Sequence, residues 1–215
     1  MYQPPHFRED RLEVQHDLIR AHPLGLLVTV GSTGLAANPI PFVLDSSASP
    51  LGTLKAHLSR ANAQWRDFDS AQEALVVFQG VETYITPSWY EAKREHGKVV
   101  PTWNYAIVQA RGRLRVIDDP AWILRQVTTM TAGQEAVQPT PWAVSDAPDA
   151  FVAAQLKGIV GVEIEIARIE GKWKVSQNRS EADRQGVSAG LRLLDDDAAR
   201  QMADLVEAKG AVPRE

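Results

Sequence analysis

Between Gly25 and Ile117 the chain is patterned mainly as strands, and beyond Asp119 helices take over, with one long strand among them. Ahead of the strands, Glu9–His22 predicts a helix, because Leu12, Leu18 and Ile19 share one face and Pro23 forbids continuation. The β-rich run Gly25–Val30 ends at a turn cluster, Gly31–Gly34, and Leu35–Asp45 follows as a further strand. Pro39 and Pro41 sit two apart in it, so their missing N–H groups point the same way. That suits an edge or a site-lining strand.

Leu51–Ser59 alternates again, and Ala61–Phe68 predicts a short helix. Ala74–Gly80 is a nearly unbroken apolar run, as a central strand would be, and Thr83–Thr86 continues or pairs with it. In Ala110–Ile117, Leu114 and Val116 are expected inward and Arg113 and Arg115 outward. Asp119 then caps a helix with Pro120 at its first position and Ile123, Val127 and Met130 as its stripe.

A proline-rich loop (Gln138–Pro148) precedes a short helix near Phe151–Leu156. In the strand that follows, Val162, Ile164 and Ile166 alternate against Glu163 and Glu165, with a turn expected at Glu170–Gly171. Two amphipathic helices, Ser180–Gly190 and Asp195–Lys209, close the pattern; Ala198, Met202 and Leu205 form the stripe of the second. The fold class expected is α+β with a mainly β core: an antiparallel barrel or sandwich with peripheral helices. Strands do not alternate regularly with helices, and neither a G-x-G-x-x-G nor a Walker loop is present, which argues against a Rossmann fold.

Composition narrows the function. The 215 residues, 44% hydrophobic, suffice for one sizeable core. A net charge of −4 argues against direct DNA contact, since non-specific affinity for nucleic acid comes from Lys and Arg on phosphates. With no cysteine there is no disulfide, thiolate nucleophile or Cys-ligated metal. The five histidines (His6, His16, His22, His57, His96) lack metal-ligand spacing, so no metal site is expected. MYQPPHFRED has no apolar signal core, and no run of about 18 apolar residues exists to span a membrane. A cytoplasmic location is the expectation.

Three stretches carry candidate chemistry. In TLKAHLSRANAQW (Thr53–Trp65), Thr53, Lys55, His57 and Ser59 share one strand face, opposite Leu54, Ala56 and Leu58. The strand runs into an expected helix start holding Arg60 and Asn62. Cationic side chains beside unpaired N–H groups make a phosphate site; a solvated strand edge with Ser59 as a simple cap is the alternative. In VPTWNY (Val100–Tyr105), Trp103 and Tyr105 face one way and Asn104 the other. They either pack a core or interface, or wall a planar ring with an amide beside it. In KWKVSQNRSEADRQGV (Lys172–Val187), Ser180 and Asp183 fit a helix cap, which leaves Gln177, Asn178 and Arg179 for a ligand or a subunit contact.

Taken together with MYQPPHF, NPIPF and FQGVETYITPSWY, and in this order, these motifs resemble the FMN-binding negative transcriptional regulator family (PaiB-like) over Met1–Leu191. The resemblance implies an FMN-binding split β-barrel with peripheral helices, a homodimer with FMN at the subunit interface. It divides the chain into a split-barrel domain, 1–191, and a C-terminal helical extension of the same domain, 192–215. By motif position, Lys55, His57, Ser59, Arg60 and Asn62 would take the FMN phosphate, with Gln64 and Trp65 behind them. Asn38 and Ile40 would offer backbone groups to the flavin edge, and Gln79 would reach the ring or ribityl chain. Trp103 and Tyr105 would wall the flavin, Asn104 would add a polar contact, and Gln177 and Arg179 would approach from the same or the partner subunit. No catalytic residue is assigned. The function implied is regulatory, with the flavin as redox or sensing element. The alternative is an FMN-dependent oxidoreductase or flavin reductase drawing on a nicotinamide donor.

Overall fold

The computed structural model describes residues 1–210. In chain order the elements are β1 (Arg8–Glu9), α1 (Leu12–Ala21), β2 (Leu24–Gly31), β3 (Gly34–Pro41), β4 (Val43–Asp45), β5 (Thr53–Ser59) and β6 (Ala74–Ile85). There follow α2 (Glu91–Glu95), β7 (Thr102–Gly112), β8 (Leu114–Ile117), α3 (Pro120–Glu135), α4 (Asp149–Leu156), β9 (Ile159–Glu165), β10 (Arg168–Lys174), α5 (Glu181–Arg192) and α6 (Asp197–Gly210). The chain forms two compact units: a larger one of Leu12–Phe78 and Gln109–Ile169, and a smaller one of Met1–Arg11, Gln79–Val108 and the chain from Glu170 onward. Strands β6 and β7 run through both.

In the larger unit β2 and β3 form the hairpin expected around Gly31–Gly34, with Gly31 opposite Gly34 and Leu24 opposite Pro41. β2 also pairs with the first part of β6, Leu27 opposite Val76. The prolines of β3 therefore lie on a strand whose only hydrogen-bonded strand partner among the described residues is β2, as their missing donors require. A second antiparallel sheet has the order β4-β5-β9-β8. Leu54, Ala56 and Leu58 of β5 face inward with Val160, Val162 and Ile164 of β9, all at most 2% exposed.

Helix α3 begins as the sequence predicts, with Asp119 accepting from the Ala121 N–H and Pro120 at the first position. It lies against β5 and β9, and Gly161 permits the close approach. A Cβ there would stand 2.5 Å from Trp122 Cζ3 and 3.0 Å from the Ile117 carbonyl oxygen.

In the smaller unit the strand order is β1-β10-β7-β6, and α5 packs on α6. Tyr90, Trp173, Val187, Leu191, Met202 and Val206 are buried there. Ser180 caps α5 by accepting from the Asp183 N–H. The side chain of Glu9 is 4% exposed and is held by Arg11 and Lys209. Burial works against its charged form, but the bonds from Arg11 and Lys209 prevail and bring its pKa down to about 2.

Several expectations need correction. The first helix starts at Leu12 rather than Glu9, because Arg8 and Glu9 are drawn into β1 opposite Lys172 and Gly171. That same pairing keeps Gly171 within a strand, so the turn falls at residues 166–167 and not at Glu170–Gly171. Ala61–Phe68 is no helix: only a 3₁₀ turn, Ala63–Trp65, forms. Phe42 separates β3 from β4, and Arg113 separates β7 from β8. Leu114 is buried, but Val116 is 36% exposed. The helix expected over Asp195–Lys209 is seen as α6, Asp197–Gly210, and residues 211–215 of the expected extension lie outside the described residues.

Candidate functional site

The polar face of β5 is built by strand alternation. Lys55 and His57 stand on the face opposite the buried Leu54, Ala56 and Leu58. Lys55 Nζ donates to Asp45 Oδ2 at 2.8 Å, across the β4–β5 pairing. This bond and those from Ser47 hold the Asp45 pKa at about 2. His57 Nδ1 and Gln126 Oε1 are 2.8 Å apart. The strand partner of His57 is Gly161, so the glycine that admits Trp122 of α3 also brings Gln126 of the same helix over the imidazole. A cavity of about 510 Å³ opens beside these groups, lined among others by Asp45, Lys55, Trp122, Arg125 and Gln126.

Beyond β5 the chain turns at Ser59–Asn62. Ser59 Oγ accepts from the Ala61 N–H at 3.2 Å, and Asn62 Oδ1 from the Gln64 N–H at 2.9 Å. The Arg60 N–H goes to the Gly158 carbonyl, and that of Asn62 to Ser59. The open helix N-terminus expected here is therefore absent; these backbone donors are already used. What remains is side-chain chemistry. The Arg60 guanidinium donates to the Lys157 carbonyl at 3.0 Å and to both oxygens of Asp118, and holds the Asp118 carboxyl below its usual range.

Gln64 and Asn38 are committed to each other, with Asn38 Nδ2 donating to Gln64 Oε1 at 2.8 Å. Gln64 Nε2 is buried and donates to the Leu27 carbonyl at 3.0 Å and Thr29 Oγ1 at 3.1 Å, which ties the turn to the β2–β3 hairpin. The Trp65 indole N–H donates to the Arg60 carbonyl at 3.1 Å, so Trp65 fixes the backbone from which Arg60 projects. Ile40 is buried in the core.

The remaining candidates lie in the smaller unit. Asn104 is 1% exposed, and its Nδ2 donates to Ser176 Oγ at 2.9 Å. Trp103 is exposed and packs edge-to-face on Tyr84, ring centroids 6.0 Å apart. Tyr105 receives the ammonium groups of Lys172 and Lys174 on its ring, at 5.3 and 6.0 Å from the centroid. Gln177 folds back on its own strand, accepting from the Val175 N–H and donating to the Trp173 carbonyl. The Arg179 guanidinium lies 4.5 Å over the Tyr90 ring. Gln79 donates to Glu82.

The structure thus collects Lys55, His57, Ser59, Arg60, Asn62, Gln64, Trp65, Asn38 and Ile40 in one unit, and Gln79, Trp103, Asn104, Tyr105, Gln177 and Arg179 in the other. Asp45, Asp118, Gln126, Lys172 and Lys174 were not foreseen. The first three carry no local signal, being long-range partners. Lys172 and Lys174 were visible as an alternating pair in KWKVS.

Comparison with known proteins gives the family. Residues 1–168 match the model described as "Putative FMN-binding domain". A Bacillus subtilis protein, "Protease synthase and sporulation protein PAI 2", is 31% identical and covers 97% of this chain and 98% of its own. The Emericella nidulans protein AN0679 is 34% identical over 94% of each chain. Among solved structures, the flavocytochrome Anf3 of Azotobacter vinelandii superposes with a TM-score of 0.56 at 13% identity, covering 78% of this chain and 69% of that one. An FAD and haem binding protein of Mycobacterium smegmatis gives 0.52 at 14% identity, covering 77% and 71%.

Proposed function

For a chain that belongs to the FMN-binding domain family, has the α+β split-barrel fold and takes FMN as cofactor, we propose that the phosphate of FMN is held at the end of β5 by Ser59 and Arg60, with Lys55 and His57 behind them. The observation that carries this reading is the state of Arg60. Its partner Asp118 is 59% exposed, and a solvent-facing ion pair contributes about 0–1 kcal/mol. A phosphate dianion offers the same fork of acceptors with more charge, so it can replace Asp118 on the guanidinium. His57 keeps Nε2 for a second partner while Gln126 engages Nδ1.

Bound FMN supplies one- and two-electron chemistry; the chain supplies binding and orientation. Asn62, Gln64, Trp65 and Asn38 act by holding the turn and hairpin in place, and Ile40 closes the core beneath. Residues 1–191 serve as the flavin-binding domain, with the stretch from 192 as its helical extension. The functional protein is a homodimer with the flavin at its interface, and the flavin is a redox or sensing element in regulation. The name of the Bacillus relative, which concerns protease synthesis and sporulation, supports a regulatory role. Direct DNA contact is not part of the reading, given the net charge of −4.

Arg60→Ala tests the assignment. The variant is expected to stay folded, to lose FMN affinity about tenfold or more, as removal of a charged hydrogen-bond donor predicts, and to bind riboflavin as before. Equal FMN affinity in variant and parent would remove Arg60 from the phosphate site.

A further inference from the structure

The smaller unit gathers positive charge that no carboxylate among the described residues neutralises. Lys172 and Lys174 alternate along β10 and so project from one face. Lys172 is 8% exposed, and its Nζ lies between two rings, 5.3 Å from the centroid of Tyr105 and 5.4 Å from that of Tyr2. Lys174 Nζ sits 6.0 Å from the Tyr105 centroid and donates to Thr102 Oγ1 and the Trp103 carbonyl.

Three acids of the same unit are engaged elsewhere. Glu170 meets the Met1 ammonium at 3.1 Å, Glu9 is held by Arg11 and Lys209, and Glu82 accepts from Gln79. Burial pushes the Lys174 pKa down, and the charges of Lys172 and Arg179 push it further. Buried lysines are almost always paired, because an ammonium taken out of water needs a countercharge. Here the buried Lys172 and the half-buried Lys174 are brought together without one among the described residues. Beside them the aromatic surface is open: Trp103 is 54% and Tyr84 46% exposed, and Trp103 shares its strand face with Tyr105.

We propose that this face binds a small aromatic anion, a planar ring carrying a phosphate or carboxylate, as a second ligand beside FMN. Lys172 and Lys174 take the anionic group, and Trp103 and Tyr105 lie against the ring. The two aromatics that the family resemblance implied as flavin walls are thereby assigned to this ligand. Only the ligand's relation to the flavin rests on the FMN reading; the anion site itself stands without it.

The test is calorimetric titration of FMN-saturated protein with phenyl phosphate, with inorganic phosphate and phenol as the separate halves of the probe. Saturable binding at least tenfold tighter than either half is expected. Lys172→Gln and Lys174→Gln should each weaken it tenfold or more while raising the Tm of the ligand-free protein, since each removes an uncompensated charge. A purely structural lysine would lower the Tm instead. Phenyl phosphate should also protect Lys174 of the unsubstituted protein from amine acylation, which reads the assignment without a variant. Binding no tighter than inorganic phosphate, indifference to both substitutions, unprotected Lys174, or competition between phenyl phosphate and FMN would each overturn the proposal. If the protein takes up no FMN yet binds phenyl phosphate with this selectivity, the FMN reading falls and the anion site stands.

Discussion

Asn104 donates its side-chain amide to Ser176 Oγ at 2.9 Å, both residues are buried, and Ser176 holds a left-handed φ of 66°. A serine in that conformation is strained, so the surrounding structure must impose it. The bond from β7 holds the point where the chain leaves β10 for Gln177 and Arg179. Asn104 therefore shapes this turn.

Asn104→Ala leaves Ser176 Oγ buried without that partner. A loss of about 1–3 kcal/mol is expected, the usual range for a buried polar group left unsatisfied. Urea unfolding of the variant against the parent measures it. A change within about 0.5 kcal/mol, the range of neutral surface substitutions, would show that the bond is incidental.

Gly161→Ala places a methyl group 2.5 Å from the Trp122 ring. Helix α3 must then move away from β9, carrying Gln126 off His57. The expected cost is about 1–3 kcal/mol, as for overpacking, with changed chemical shifts of the His57 imidazole by NMR. Trp122→Leu in the same chain should restore part of the stability, and independent, additive effects would contradict the contact.

Much of the fold was legible because its signals are local. The Gly31–Gly34 turn, the Asp119–Pro120 helix start and the Ser180 cap each specify themselves within a few residues, and all three occur. What escaped depends on distant chain. Glu170 and Gly171 read as a turn, yet Gly171 pairs with Glu9 in β1. ANAQW reads as a helix start, yet Gln64 is anchored through its side chain to the β2–β3 hairpin, and the chain closes a single 3₁₀ turn. The same holds for the site. Lys55, His57 and Arg60 announce their chemistry by type and spacing, whereas their partners Asp45, Gln126 and Asp118 stand 10, 69 and 58 residues away.

Glu9 makes stability depend on acid. Its pKa is depressed from 4.5 to about 2 in the fold, so the unfolded chain binds the proton first as pH falls. The stabilisation is complete above about pH 4.5 and is lost as pH falls towards 2. Glu9→Gln should lower the Tm at neutral pH and flatten the Tm profile across that window. A variant profile parallel to that of the parent would assign the acid sensitivity to other groups.

Asp118 competes for the Arg60 guanidinium in the phosphate assignment. Asp118→Asn removes the competing charge, so FMN affinity should rise several-fold with riboflavin affinity unchanged. A drop in FMN affinity would mean that Asp118 orients Arg60 for the ligand instead of occupying its place.

The most direct measurement is a titration of the purified protein with FMN, and with riboflavin in parallel, followed by visible absorption and by light scattering for mass. The account predicts saturation at one FMN per chain, riboflavin bound at least about tenfold more weakly for want of the phosphate, and the mass of a dimer. Equal affinity for the two flavins, or no saturable binding of either, would contradict a phosphate site at Ser59 and Arg60.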